Sequence, residues 1–275
     1  MKIFSIIILF FLAIIYTGCS NSPVTNPVQG EVYKEILSVN MSDINVKLFI
    51  TGYDSLTTGY NDLYFKVKKG PFEQNSGVVI FYPKMWMSPE LWHGAPASTE
   101  FTYDNSTGYY KGYAVFLMAT YSSLSWSCFV TYRDANGLSY PADSVKAYTS
   151  YRQEKQWKLF YDSTEHSNFF LTLIKPISVT KGMNDFEAIL NISDELAQHF
   201  ELLSEPLMTI AVYKSDSVRQ STGNIQPAAG TDGIYRGKIN LPYTGSWNLY
   251  DTLYYHNHYM THNPTAVPSF SFTVH

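Results

Sequence analysis

The stretch Thr58-Gly-Tyr-Asn-Asp-Leu63 recurs 123 residues later as Lys181-Gly-Met-Asn-Asp-Phe186, and this pair decides how the fold is interpreted. Three further landmarks recur in the same order at nearly the same offset. They are Pro83-Lys-Met85 and Pro206-Leu-Met208 (offset 123), Gly108-Tyr-Tyr-Lys-Gly112 and Gly233-Ile-Tyr-Arg-Gly237 (offset 125), and Ser125-Trp126 and Ser246-Trp247 (offset 121). Ordered self-similarity at one period is the signature of a repeated structural unit. The chain is therefore predicted to contain two copies of one folding unit.

Each copy is predicted to be built from β-strands. Short alternating runs bounded by Gly, Asn, Asp and Pro indicate antiparallel strands, with examples at Asn45–Ile50, Leu63–Val67, Val78–Tyr82 and Tyr113–Leu117. The best helical candidate is a short segment, Ser193–Leu203. Copies of this length with this pattern predict an all-β chain of two tandem immunoglobulin-like antiparallel β-sandwiches.

Composition supports that fold class and excludes several others. Aromatic residues make up 16% of the chain, with 23 Tyr, 17 Phe and 5 Trp, and aromatic side chains favour the half-buried surface of a sheet. Charged residues make up only 15% and hydrophobic residues 45%, so the chain is not intrinsically disordered. The formal net charge is −4 and no basic run occurs, so no nucleic-acid partner is expected.

The first residues are predicted to be an export signal. Lys2 precedes an apolar run that ends at Tyr16, followed by Thr17-Gly-Cys-Ser20. This pattern resembles the lipobox of bacterial lipoproteins, which implies cleavage before Cys19 and a lipid on that residue. The alternatives are an ordinary signal peptide and an uncleaved anchor.

The resulting organisation has five parts. We expect a signal peptide at 1–18, a lipid-anchored stalk at 19–31, a first sandwich at 32–135, a connection at 136–154 and a second sandwich at 155–275. Ser20 after the cysteine resembles an outer-membrane sorting signal, so the chain is expected in the bacterial cell envelope, anchored to the outer membrane and facing the periplasm. With Cys19 acylated, only Cys128 remains, which rules out an intramolecular disulfide.

The first copy resembles the YtkA-like/FixH-like family of extracytoplasmic β-sandwich domains. The residues that carry the resemblance are Gly59–Asp62, Pro83–Ser88, His93–Pro96, Gly108–Tyr113, Phe116–Met118 and Ser125-Trp126. Members often occur beside copper-handling proteins or cytochrome oxidase assembly, so the resemblance implies a copper site in the first sandwich and a copper-dependent or copper-transport partner. The second copy is degenerate, because Ile210 stands opposite Met87 and Asp216 opposite His93.

A Met/His set is the first candidate metal site. Met85 and Met87 are two residues apart, which places them on one face of a strand, and His93 follows after a short loop. Thioethers favour Cu(I) over Zn(II), and Met118 on a neighbouring strand would add a donor. Trp86 and Trp92 are candidates to cap the ion through cation–π contact. The alternative is that these methionines fill the core.

A second candidate metal site lies near the C-terminus, where four possible ligands alternate. They are His256, His258, Met260 and His262. An extended strand would spread them over about 20 Å, so one ion would take only two or three of them. The alternative is an exposed aromatic and polar hairpin.

Sequence signals for catalysis are weak. No Gly-rich phosphate loop, HExxH motif or Gly-x-Ser-x-Gly elbow occurs. Asp62 and Asp185 recur at the same corner of both copies, each after an Asn, which is typical of turn chemistry. The predicted function is therefore a non-enzymatic lipoprotein that buffers or delivers copper. The alternative is a structural or adhesive tandem β-sandwich module that binds protein or glycan.

Overall fold

A computed structural model describes residues 32–122, 124–216, 219–260 and 269–275. Residues Tyr33–His275 form one compact unit, and every regular element described in it is a β-strand. No helix long and apolar enough to cross a membrane occurs in these four ranges. The predicted signal peptide and stalk, with the lipid attachment at Cys19, lie outside the described residues.

The first sandwich contains thirteen of the described strands. They are β1 (Lys34–Met41), β2 (Ile44–Ile50), β3 (Leu56–Thr57), β4 (Gly59–Lys69), β5 (Phe72–Gln74), β6 (Val78–Trp86), β7 (Trp92–Gly94), β8 (Phe101–Asp104), β9 (Tyr109–Phe116), β10 (Trp126–Arg133), β11 (Ser139–Pro141), β12 (Val145–Ala147) and β13 (Thr149–Ser150). Eleven of them form one sheet with the main order β1-β2-β4-β9-β8-β6-β10-β11. The short strand β8 pairs with both β6 and β9. It therefore joins the layer formed by β1, β2, β4 and β9 to the layer formed by β6, β10 and β11.

The second sandwich contains ten described strands in two sheets. They are β14 (Trp157–Asp162), β15 (Ser167–Lys175), β16 (Gly182–Ser193), β17 (Phe200–Leu203), β18 (Leu207–Lys214), β19 (Ile225–Ala229), β20 (Tyr235–Leu241), β21 (Gly245–Tyr255), β22 (His258–Tyr259) and β23 (Ser269–Val274). One sheet has the order β14-β15-β16-β20-β19 with β17 on β16, and the other joins β18, β21, β22 and β23. The predicted all-β, immunoglobulin-like sandwich class is confirmed.

The segment expected to connect the two sandwiches is structured. Strands β11 and β12 both pair with β10, and β13 pairs in parallel with β3. Much of residues 136–154 therefore belongs to the sheets of the first sandwich, which shortens the free connection to the few residues before β14.

The expected helix at Ser193–Leu203 is wrong. Asp194 accepts hydrogen bonds from the backbone N–H groups of Gln198 and His199, which closes a compact loop. Strand β17 then pairs with β16 from Ser193 opposite Phe200 onward. A short side chain that binds local backbone competes with helix formation, and the pairing with β16 completes the strand.

The repeated corner forms the same hydrogen bonds in both copies. The Asn61 amide accepts from the Thr57 N–H at 3.0 Å and donates to the Thr57 and Gly59 carbonyls. Asn184, which lies 123 residues later, makes the equivalent bonds with Thr180 and Gly182. The asparagine therefore builds this corner, and the neighbouring aspartates point outward.

Each sandwich has its own hydrophobic core, and a third cluster lies between them. The first core surrounds Trp126 and the second surrounds Trp247, both fully buried. The third cluster consists of Tyr113, Val115, Leu117, Phe170, Ile174 and Ile189. These residues come from β9 and its C-terminal end on one side and from β15 and β16 on the other, so one sheet face of each sandwich packs against the other.

A carboxyl group is buried in the second sandwich at Asp251. This residue takes a core-facing position on β21, between the buried Leu249 and Leu253, and is 0% exposed. Neither of its oxygens has a hydrogen-bond partner among the described residues. Burial raises the pKa of this carboxyl group well above its ordinary value, because the charged form would lose its hydration in the core.

Replacing Asp251 with valine is expected to raise the free energy of unfolding at neutral pH by about 1–3 kcal/mol, because an unsatisfied polar group leaves the core. The gain should widen as pH rises from about 4, since the unfolded carboxyl then releases a proton that the native one retains. Urea unfolding across this pH range measures both effects. Asp251→Asn is the control, which should lose the pH dependence and keep the cost of burial; a gain independent of pH would contradict the argument.

Candidate functional site

The first predicted copper donor, Met85, lies in the hydrophobic core. Its side chain is 0% exposed and packs within the core that surrounds Trp126. His93 stands directly opposite Met85 where β7 pairs with β6, so the backbone does bring these two residues together. The imidazole Nδ1 of His93, however, lies 2.9 Å from the carbonyl oxygen of Leu196.

The other predicted donors occupy different surroundings. Met87 follows the end of β6 and is 37% exposed, so it does not share the face that Met85 buries. Met118 is partly buried and packs against both the first core and the cluster between the sandwiches. Strand β6 ends at Trp86, which breaks the strict alternation that would have aligned the two methionines.

The aromatic cap predicted for the metal already faces a cation. The ammonium of Lys84 stands 4.0 Å from the ring centre of Trp92 and also lies over Tyr82. Trp86 is 42% exposed beside Trp92. Lys84, Tyr82 and Trp92 therefore form a cation–π cluster of the protein's own side chains, and Trp86 contacts it through Trp92.

The residues present do not form a copper ligand set. The four donors are divided among the core, the solvent, a neighbouring loop carbonyl and the boundary between the sandwiches. Within the four described ranges, no group of three or more His, Cys, Asp or Glu side chains is placed to hold a metal ion. Copper binding stays a prediction without structural support.

The second predicted metal site is a hairpin held by carboxylates. Nδ1 of His256 lies 3.0 Å from Oε1 of Glu165, and Nε2 of His258 lies 3.1 Å from Oδ1 of Asp162. Met260 is buried in the second core, at 3% exposure, and His262 lies outside the described residues. The two imidazoles thus attach the β21–β22 hairpin to the turn that follows β14, and each has a carboxylate partner.

An uncharged surface covers the outer side of the C-terminal sheet. We call it the aromatic face and define it by the outward side chains of β18 and β21: Leu207, Thr209, Ala211, Tyr213, Asn248, Tyr250, Thr252 and Tyr254. Strand pairing sets Leu207 beside Tyr254, Thr209 beside Thr252 and Ala211 beside Tyr250. None of these eight side chains carries a charge.

One end of the aromatic face opens into a groove of about 860 Å³. Its walls are the β14–β15 turn, the first residues of β18, the end of β21 and the β21–β22 hairpin. The lining residues are Ser163, Thr164, Leu207, Thr209, Thr252, Tyr254, Asn257, His258 and Tyr259. This volume lies within the range of ligand-binding clefts, and the lining combines aromatic rings with several hydroxyl groups.

The alternation of residues along β21 is the sequence signal for this face. From Trp247 to Tyr254 the odd positions are buried, whereas the even positions hold Asn, Tyr, Thr and Tyr. Outward positions of a strand on a free sheet face are normally polar or charged, so uncharged aromatic residues there are informative. The pattern marks a surface and leaves its ligand unspecified.

Comparison with known proteins yields structural neighbours only. Neither a protein-family profile nor a curated protein sequence matches the chain. Among solved structures, the Escherichia coli adhesin FdeC is similar at 13% identity and a TM-score of 0.23. The match covers 87% of this chain and 65% of the FdeC chain. A conserved domain protein from Bacillus anthracis is similar at 9% identity and a TM-score of 0.32, covering 88% of this chain and 91% of that chain. The D0–D1 domain of intimin is similar at 9% identity and a TM-score of 0.21, covering 89% of this chain and 98% of that chain.

Proposed function

We propose that the chain is a non-catalytic adhesive or structural module of the cell envelope, in which two sandwiches act as one rigid block. The observation that carries the proposal is the apolar cluster between the sandwiches. It covers a sheet face on each side and leaves the aromatic face of the second sandwich exposed. A rigid block with one uncovered, uncharged face is suited to presenting that face to a macromolecular ligand.

Close backbone contacts support the rigidity of this block. The Gly94 N–H donates to the Ala197 carbonyl at 2.9 Å, and the Tyr82 hydroxyl donates to the Gln198 carbonyl at 3.1 Å. A Cβ atom at Gly94 would lie 2.3 Å from the Gln198 carbonyl oxygen, so only glycine permits this approach. The two sandwiches therefore meet through backbone as well as through side chains.

A buried lysine adds a polar connection at the same boundary. Lys155, just before β14, is 8% exposed and donates from Nζ to the carbonyl of Tyr60 and, at 3.3 Å, to Oδ1 of Asn61. Its ammonium also stands 4.5 Å from the ring centre of Tyr53. Burial lowers the pKa of Lys155 to about 8. The start of the second sandwich is thus attached to the repeated corner of the first.

A distance measurement between the sandwiches tests the proposal. Spin labels at Phe72→Cys on β5 and Ile225→Cys on β19 would be placed at exposed positions, 72% and 52% exposed respectively. The experiment uses the full chain with Cys19→Ser, and the native Cys128 is buried and protected from labelling. We expect one narrow distance distribution by double electron–electron resonance. A broad distribution would show a flexible pair of domains and would overturn the proposal.

A further inference from the structure

The aromatic face differs from the equivalent surface of the first sandwich in one informative position. Lys84 in the first copy corresponds to Leu207 in the second, because Pro83-Lys-Met85 recurs as Pro206-Leu-Met208. In the first copy the Lys84 ammonium covers Tyr82, Trp92 and Phe129. In the second copy the cation is absent at this position and Leu207 is 60% exposed. The aromatic rings of the second copy are therefore left uncovered.

The rings on this face are arranged as a strip. Tyr250 and Tyr254 stand four residues apart on β21, about 13 Å along the strand, with Thr252 between them. Tyr213 packs edge-on against Tyr250, and Tyr259 packs edge-on against Tyr254. Each of the two central rings keeps more than a third of its surface exposed, at 38% and 37%. An extended ligand lying along β21 would contact both.

Hydroxyl groups of four residues flank the strip. The side-chain hydroxyls of Ser163, Thr164, Thr209 and Thr252 line the groove. Among the described residues, none of these four hydroxyls makes a hydrogen bond within the protein. Each can donate one hydrogen bond and accept others, so together they offer a ligand both kinds of partner.

The charge of the lining residues indicates which class of ligand this surface can bind. Among the residues that the structure describes, the groove is lined by no Lys, Arg, Asp or Glu. The nearby carboxylates of Asp162 and Glu165 are already paired with His258 and His256. An anionic or cationic ligand would lose hydration here without gaining a counter-charge, whereas a neutral ligand would not incur this cost.

We propose that the aromatic face and its groove bind a neutral oligosaccharide chain. Sugar rings present apolar C–H faces that stack on tyrosine rings, and their hydroxyl groups exchange hydrogen bonds with Ser, Thr and Asn side chains. A chain of such rings fits a surface that repeats aromatic, hydroxyl, aromatic along one strand. This inference rests on the proposed function and names the ligand class of its exposed face.

Calorimetric titration of the full chain with soluble neutral oligosaccharides tests the inference. The probes are hexamers of β-1,4-linked glucose, α-1,4-linked glucose and β-1,4-linked N-acetylglucosamine, beside a hexamer of galacturonic acid as the charged comparison. We expect at least one neutral hexamer to bind with an affinity that sodium chloride does not change, because no ion pair is involved. Tyr254→Ala should weaken binding roughly tenfold, and Tyr254→Phe should retain most of it.

The matched control is Tyr161→Ala, which removes a tyrosine that is 59% exposed on β14 and is not among the residues that line the groove. It should bind as the unaltered chain does. Failure of all neutral probes, preference for the acidic hexamer, or equal losses in the Tyr161 and Tyr254 variants would overturn the inference. A narrow interdomain distance distribution in the same chain would then leave the rigid module standing, so the two proposals fail separately.

Discussion

Replacing Phe170 with alanine is expected to separate the two sandwiches, at a cost of about 3–5 kcal/mol in the free energy of unfolding. Phe170 is 3% exposed and belongs to the cluster between the sandwiches. Its ring packs against Trp157 at 5.8 Å and against Phe200 at 5.2 Å between ring centres. Its loss leaves a cavity where the two sheet faces meet. The interdomain distance distribution should broaden, and chemical unfolding should lose cooperativity.

Phe169→Ala is the matched control for this change. Phe169 precedes Phe170 on β15 and points the opposite way, into the second core, where it stacks on Phe160 at 5.5 Å. Both variants remove the same buried side chain, so similar losses of stability are expected. Only Phe170→Ala should broaden the distance distribution. If both variants keep it narrow, the cluster does not hold the sandwiches together.

Replacing Met85 with alanine is expected to lower the free energy of unfolding by about 2–5 kcal/mol. The side chain is fully buried in the first core, on the strand that pairs with β10 at Trp126. Removing it deletes apolar contacts and leaves a cavity beside that tryptophan. Urea unfolding followed by tryptophan fluorescence measures the change.

Met87→Ala is the comparison, because that methionine is exposed and its truncation should change stability by no more than about 0.5 kcal/mol. A Cu(I) competition titration of the same two variants separates packing from metal binding. We expect both variants to give the same Cu(I) titration as the unaltered chain, because these two side chains do not converge on a common site. If the unaltered chain binds Cu(I) tightly and both variants lose that binding, the predicted copper site would be supported. The side chains of Met85 and Met87 would then have to converge.

The repeat and its corners could be predicted because they depend on local chemistry. A Gly-x-Asn turn forms hydrogen bonds within five residues, so its two occurrences revealed the repeat before any tertiary contact was known. Alternation likewise predicted strands such as β2 and β6. The same reasoning placed Met85 and Met87 on one face, which failed because β6 ends at Trp86.

The candidate site was less accessible from sequence. Val115 and Phe116 are both buried, as are Phe169 through Ile174, because these strands are covered on both faces. Continuous apolar runs of this kind show that a strand is buried without showing what covers each side. The sequence alone therefore could not distinguish the covered sheet from the exposed one.

The amino-acid sequence by itself determined the strand class, the twofold repetition and the turn chemistry, since each arises from interactions between residues close along the chain. Only the tertiary structure decided that the sandwiches pack face to face, that Met85 is core, and that the aromatic face remains uncovered. The physical reason is that the hydrophobic effect is non-directional, so covering any apolar face lowers the free energy. Which faces meet depends on contacts such as Gly94 with Gln198, between residues more than a hundred positions apart.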